Sequence, residues 1–599
     1  MNMRRLSCPL HELARRRRTL LAVLFALAAA MSAPYLVPAD PDSAVFRSGA
    51  LGTILVLATF FPIRAALERH SARALLYGGM FALIFSFFLS IGSELTFYGQ
   101  LLPGAGSLLR RLAVPLMAAP MLGSLCSFLF REAPSCECRP ARLHIPYAAF
   151  LLLLASCYAA VLLAFYPGVV AYDFEHEIAQ YQSGVYNAAH PVFHTFFLGT
   201  LYRLGEALFG SMTAGAATYS AAQLLLLAAM YAAALDFLQS RVPLPVTLLL
   251  TATFALLPFH SVMAISTAKD PLFSGLIVLL CLLLWSALED PGRFLESRRR
   301  IAGFVAVCLL LCLLRHNALF AVLPACIAVI LLCRSARRRA AILVLATLVL
   351  CTGVPKGLET LLHAEKTPSS ELMSVPCQQL MRTAAVAPLS QEEYSEISPW
   401  FSDAIHRYRP YCADPAKGGN FDFERYSADP SAFWEMFLRY GRAYPRVYLE
   451  AFLLNCAGLW NPDDASHYSA LAGEEYDFVY LITAYYYEDG RYDIHPHSLL
   501  PGLRSFLYNF THHAKQRNTP LLAQACCPAA YTYLLLFATM LLFFRRERRL
   551  ALSLLPLWGL LLSLLFSAGV FVRYAYPIMS AMPVLLALAV FARRSASAA

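Results

Sequence analysis

The feature that most restricts this chain is its series of apolar runs, most of about 17 to 25 residues, the length a helix needs to cross a hydrocarbon core. Backbone in lipid must satisfy its own hydrogen bonds, so runs of this kind fold as helices. Hydrophobic residues make up 59% of the 599 and charged residues only 14%, which excludes a soluble enzyme. The net charge of +10 does not read as a nucleic-acid footprint. Arg15 to Arg18, Arg298 to Arg300, Arg337 to Arg339 and Arg545 to Arg549 sit at the ends of apolar runs, as cytoplasmic anchors do. Sixteen cysteines lie mostly inside the runs without repeated metal-ligand spacing, and Cys136-Glu137-Cys138 is too short a motif to interpret.

Orientation follows from where Arg and Lys collect. Residues 1–18 form a basic cytoplasmic N-terminus that leads into a retained signal anchor, and 19–146 a four-helix membrane region with spans near 19–38, 46–66, 74–96 and 112–130. Arg110 and Arg111 oppose this assignment unless they snorkel. A fifth span delivers loop 167–214 to the outer face. Residues 191–209 contain Arg203 and Glu206, and their large apolar side chains share one stripe, which predicts a helix lying on the membrane. With that helix on the surface, the later Arg clusters all fall inside. The expected architecture is an all-α polytopic membrane protein of about fourteen spans, with both termini cytoplasmic. It comprises a membrane module over 147–356, a mixed extracytoplasmic domain over 357–524, three closing helices over 525–592 and a tail over 593–599.

The outer face gathers the polar residues. Asp173 precedes a helical stretch in which Phe174, Ile178 and Tyr181 share a face, predicting a second juxtamembrane helix. Its carboxylate suits either a general base or a helix cap. Glu175 and Glu177 are close enough to substitute for it. Lys269-Asp270 reads as a phosphate-engaging cation beside an acid, or as a solvated ion pair. Arg315-His316-Asn317 interrupts an apolar stretch and needs polar partners, and Arg573-Tyr574 resembles it or an interfacial anchor. Outer-domain aromatics such as Tyr394, Trp400, Tyr408, Tyr411, Trp434, Tyr444 and Tyr485 to Tyr487 read as core and interface residues, with sugar stacking as the alternative. Cys377 and Cys412 are candidates for an exterior disulfide.

The order Tyr166-Pro167-Gly168 to Asp173, Gln180, His190-Pro191, Gln223, Pro258, Lys269-Asp270 with Phe273, Leu314 to Asn317, Pro376 to Gln379 with Arg382, Tyr444-Pro445, Trp460 to Pro462, then Arg573-Tyr574 and Pro577, resembles the GT-C superfamily of membrane glycosyltransferases. The resemblance covers about 147–592. It implies a GT-C-like fold with two juxtamembrane helices, in the bacterial cell membrane with an extracytoplasmic active site. It implies transfer of a sugar from a polyprenyl-phosphate donor to a cell-envelope glycan, lipid or protein. Asp173 would be the base, Asp270 the second acid and Glu175 a substitute. Lys269, Arg315 and Arg573 would hold the donor phosphate, and His190, Gln180, Asn317 and Arg382 would contact substrate. No metal is expected to be required, although Asp173, Glu175, His176 and Asp270 offer ligands of the kind Mg2+ or Mn2+ takes. A polysaccharide polymerase or ligase, and a lipid-linked glycan transporter or flippase, are the competing classes; a transporter would place its charges at mid-membrane.

Overall fold

The computed structural model describes residues 7–37, 40, 43, 45, 48–130, 144–170, 173–332, 336–365, 370–402, 405, 408–417, 421–462, 493–512 and 522–591. Within them the chain is helical, with isolated bridges in place of any sheet. Each of the fourteen apolar runs carries a helix. Among the described residues nine helices are long and apolar enough to cross a membrane, or ten if the bent pair Leu244–Leu256 and Pro258–Ala264 counts as one span. The apolar helices Arg298–Leu314, His316–Leu331, Pro528–Phe544 and Leu555–Leu564 are shorter.

The chain divides into two compact units. The first comprises Met1–Pro134, Trp460–His467 and Thr539–Glu547. Its four long helices are α1 (Ser7–Ser32), α2 (Gly49–Arg69), α3 (Ala72–Tyr98) and α4 (Ala105–Ser127). Ser48 and Ser71 cap α2 and α3 by accepting from the backbone N–H three residues on. The pair α3 and α4 approaches through small residues: a Cβ on Gly78 would meet the Gly123 carbonyl at 2.6 Å. The two arginines that opposed the orientation have a partner here. Buried Glu94 takes a two-pronged hydrogen bond from Arg111 at 2.7 and 2.8 Å, with Arg110 at 3.8 Å. Arg111 is therefore charge-compensated and does not act as a bare topological signal.

The second unit comprises Ser135–Leu459, Tyr468–Ala538 and Arg548–Ala599. It begins with α5 (Tyr147–Ala164), α6 (Asp173–Ser183), α7 (Val192–Phe209) and α8 (Met212–Gln239). The bent pair α9 (Leu244–Leu256) and α10 (Pro258–Ala264) turns by 57°, and α11 (Asp270–Glu289) follows. Two helices are central: 83% of the apolar window of α11 is buried, and 72% of that of Val572–Phe591. Most of α5 and of Arg337–Leu361 is left uncovered, as lipid-facing helices would be. Pro258 opens α10 because its missing N–H costs nothing at a first turn. His260 within α10 is fully buried and bonds the Tyr576 hydroxyl at 2.9 Å, and that hydroxyl also accepts from Tyr231 at 2.8 Å.

Helices α6 and α7 are not among the membrane-crossing candidates. The inner face of α7 is Val192, His194, Thr195, Leu198, Gly199, Tyr202 and Gly205, whereas Phe196, Leu204 and Leu208 of the expected stripe are exposed. Gly199 lets α6 come close, since a Cβ there would sit 2.1 Å from the Tyr181 ring.

Most of the region 357–524 belongs to the same unit, Trp460–His467 being assigned to the first, and its described part is helical where a mixed domain was expected. It is helical because its aromatics recur at helical spacing: Phe433, Met436, Phe437 and Tyr440 on Pro430–Ala443 pack with Trp400, Phe401, Phe421 and Tyr448. Tyr394, Tyr408 and Tyr444 pack against this core, Tyr411 is buried, and Trp434 is exposed. Cys377 and Cys412 are buried thiols with no disulfide between them, and Cys456 is buried too. Tyr485 to Tyr487 and Cys136-Glu137-Cys138 lie outside the described residues.

Candidate functional site

The site is built by two short extended segments laid side by side. Val169 donates to the Ile265 carbonyl at 3.0 Å and Thr267 donates back to Val169 at 2.9 Å, a parallel bridge between Val169 and Ser266. One segment runs on to Asp173 at the start of α6, the other to Lys269 and Asp270 at the start of α11. Residues 96 apart are thereby brought into contact.

The bridge depends on Gly168. Its φ is +124°, and a Cβ would fall 2.2 Å from Ser220 Oγ and 2.9 Å from the Ile265 carbonyl. Gly168→Ala is therefore expected to cost about 2–4 kcal/mol in a denaturant titration of the detergent-solubilised protein. Adding Ser220→Ala removes the closest contact but leaves the Cβ at 220 and the Ile265 carbonyl each at 2.9 Å, together with the positive φ, so recovery should be partial; full recovery would mean the conformation is unimportant.

At the centre lies the Lys269 ammonium. It donates to Asp173 Oδ2 at 2.8 Å and to His190 Nδ1 at 3.1 Å, with Glu177 Oε1 at 3.9 Å. Arg573 Nη1 is 3.9 Å from the same Asp173 oxygen. An ammonium has only donors, so His190 Nδ1 is the acceptor and its neutral ring carries the proton on Nε2. Asp270 is 1% exposed and paired with Arg315. Tyr574 joins the two halves: Arg315 lies 5.1 Å and Arg573 4.8 Å from its ring centroid, and Arg573 also donates to its hydroxyl at 3.0 Å.

Burial alone would raise the Asp173 carboxyl, but Lys269, Arg573 and His190 outweigh it and hold the group well below the usual carboxylate range. For His190 burial comes first and Lys269 second, and together they push the ring down to about 4 against the raising effect of Asp173 and Glu177. Between that value and the ordinary 6.5, the unfolded chain binds the His190 proton and the folded one does not. Stability should therefore fall as pH drops from 6.5 to 4, by about 3 kcal/mol from this residue. His190→Asn should flatten that part of a stability-against-pH curve; an unchanged slope would exclude His190 as its source.

Asp173, Glu177 and His190 could offer ligand atoms to one cation, since these lie within 4.8 Å of one another. The Lys269 ammonium, within hydrogen-bond reach of two of them, stands where such an ion would have to sit.

Of the residues singled out in the sequence, Asp173, Lys269, His190 and Arg573 come together, with Asp270 and Arg315 beside them. Glu175 is half-buried on α6. Three others do structural work. Gln180 accepts from the Asn187 backbone at 3.0 Å and shapes the turn after α6. Asn317 donates to Ser563 Oγ at 3.3 Å. Arg382, expected to contact substrate, is buried among the helices that follow Ser370, bonding Glu450 at 2.8 Å and the Tyr408 hydroxyl at 3.3 Å. Its charge lies in a buried ion pair with Glu450.

Glu177 and His194 carry more of the interior than the sequence suggested. Both are about 1% exposed and 2.5 Å apart. The signal was present: Glu177 falls on the apolar face of α6 with Phe174, Ile178 and Tyr181, and a carboxylate on such a face needs a buried partner.

No curated protein and no solved structure matches the chain. A family model described as a family of unknown function matches residues 171–599, from just before Asp173 to the C-terminus, and on that match the chain belongs to the family DUF6020.

Proposed function

We propose that the protein is a GT-C-type membrane glycosyltransferase that moves a sugar from a polyprenyl-phosphate donor to a cell-envelope glycan, lipid or protein. In this reading all fourteen apolar helices span, the shorter ones included, both termini are cytoplasmic and the Asp173 cluster faces outward. One observation carries the reading: a carboxylate, Asp173, is held by Lys269 at 2.8 Å with Arg573 at 3.9 Å, at the start of a helix that lies beside the spanning bundle.

With the cations on it, Asp173 is a poor base, because its proton affinity is suppressed. An anionic phosphate that draws Lys269 and Arg573 to itself releases the carboxylate and returns its basicity. The acceptor hydroxyl then gives its proton to Asp173 Oδ as its oxygen attacks the anomeric carbon. The bond from that carbon to the phosphate oxygen breaks, and Lys269 and Arg573 stabilise the negative charge of the leaving phosphate. A single displacement of this kind inverts the anomeric centre. Arg315 stays with Asp270 and supports Arg573 through Tyr574. The charges gather at helix ends, which this reading puts at the outer boundary, whereas a transporter would carry them at mid-membrane.

The test is transfer of label from a panel of radiolabelled polyprenyl-phosphate sugars by the purified protein in lipid. Turnover of one donor is the expected result. Binding of donors without turnover of any would retire the transferase in favour of transport or polymerisation.

A further inference from the structure

Behind the Asp173 cluster runs a buried chain of hydrogen bonds whose proton positions can be deduced. Gln223, in the middle of α8 and 0% exposed, donates its amide N–H groups to the carbonyls of Ala264, at 3.2 Å, and Ser266. Two acceptors on that side fix the amide, so Oε1 faces the Tyr219 hydroxyl at 2.9 Å and can only accept. The single proton of Tyr219 is thus committed to Gln223. Tyr219 oxygen, 2.8 Å from His194 Nε2, must then accept from an Nε2–H. On the other side of the ring, His194 Nδ1 and Glu177 Oε2 are 2.5 Å apart and must share one proton. With Nε2 protonated and one proton in the link, the Glu177 and His194 pair is electrically neutral, whichever of the two holds it.

Both ends of this chain act on Lys269. The Gln223 end holds the backbone of 264–266, directly before the lysine, and the Glu177 end leaves its other oxygen 3.9 Å from the ammonium. We propose that Glu177, His194, Tyr219 and Gln223 are positioning residues that fix Lys269 against Asp173 and keep the Glu177 and His194 pair neutral. The neutrality matters for what the site can bind. Lys269, Arg315 and Arg573 face the two carboxylates of Asp173 and Asp270, an excess of one positive charge that suits an anion; an unprotonated pair would cancel it. This consequence rests on the transferase reading, whereas the proton assignment does not.

Tyr219→Phe removes the acceptor of the Nε2 proton. His194 should then settle with its proton on Nδ1 facing a Glu177 carboxylate, and the pair gains a negative charge. The experiment uses the full chain in nanodiscs with 15N-labelled histidine at pH 7, His194 being assigned by its loss in His194→Gln. Wild type should show a protonated His194 Nε2, and in Tyr219→Phe that proton should be lost to solvent, leaving Nε2 bare and Nδ1–H facing the Glu177 carboxylate. An unprotonated Nε2 in wild type, or no change in the variant, overturns the proposal. Affinity for a polyprenyl phosphate should fall about tenfold in Tyr219→Phe. It should return towards wild type in Tyr219→Phe with Glu177→Gln, where the extra charge is gone. Equal loss in both variants overturns the charge role. If wild type does not bind the lipid at all while the histidine result holds, the positioning chain stands and the transferase reading fails.

Discussion

Arg315→Met should lower the stability of the protein by about 3–5 kcal/mol, read by denaturant titration from mild detergent. Asp270 is 1% exposed, at the first position of a helix that is itself almost wholly buried, and Arg315 is the cation paired with it. Methionine keeps most of the volume over Phe273 and Tyr574 and removes the charge, so the loss reports the stranded carboxylate and not a cavity. Asp270→Asn alone should cost less. The arginine left behind keeps its place over the Tyr574 ring, and its side chain is 15% exposed, enough to reach water. The double variant Asp270→Asn with Arg315→Met should recover much of the loss, because no charge is left unpaired. A double variant no more stable than Arg315→Met would mean that the arginine acts by packing and not through Asp270. The pair matters for the site because Arg315 is also one of the two guanidinium groups held on Tyr574, the other being Arg573.

What the sequence revealed is what a local pattern can carry. Apolar runs predicted where helices lie, since lipid and a protein interior both demand internally bonded backbone. The amphipathic stripes of 174–181 and 191–209 revealed two helices that are not apolar enough to cross. What stayed hidden was pairing. Nothing local shows that Arg382 meets Glu450, 68 residues away, in place of a substrate, or that Gln180 turns back onto Asn187. The parallel bridge between Val169 and Ser266 is two residues long and has no alternating pattern to announce it. Yet it decides that Asp173 meets Lys269. The YPG motif was visible but mute: the need for glycine at 168 lies in Ser220 and Ile265, which come from other elements. A mixed domain was expected over 357–524, where hydropathy falls; its described part is helical, with Phe433, Met436, Phe437 and Tyr440 recurring at three and four.

The second large effect concerns turnover. Asp173→Asn should reduce transfer from the donor identified in the labelled panel by about 10²–10⁴-fold, the range a positioned general base contributes. The amide oxygen can still accept from Lys269, so the fold should hold, and with one negative charge removed donor binding should be no weaker, so the loss should fall on kcat. Lys269→Met should show the opposite split. Removing the central ammonium takes away donor binding as well as leaving-group stabilisation, so KM for the donor should rise together with a fall in kcat. It also releases Asp173 from the partner that holds its proton affinity down, so the acid limb of the pH profile should move upward in Lys269→Met. Glu175→Gln is the control within the same helix, since Glu175 was the substitute for Asp173 by sequence, whereas Asp173 Oδ2 accepts from the ammonium at 2.8 Å. Near-normal turnover in Glu175→Gln beside a dead Asp173→Asn would assign the base. Equal losses in the two would assign the proton to the helix's shared negative field rather than to one carboxylate, and undamaged turnover in Asp173→Asn would remove base catalysis from the mechanism altogether.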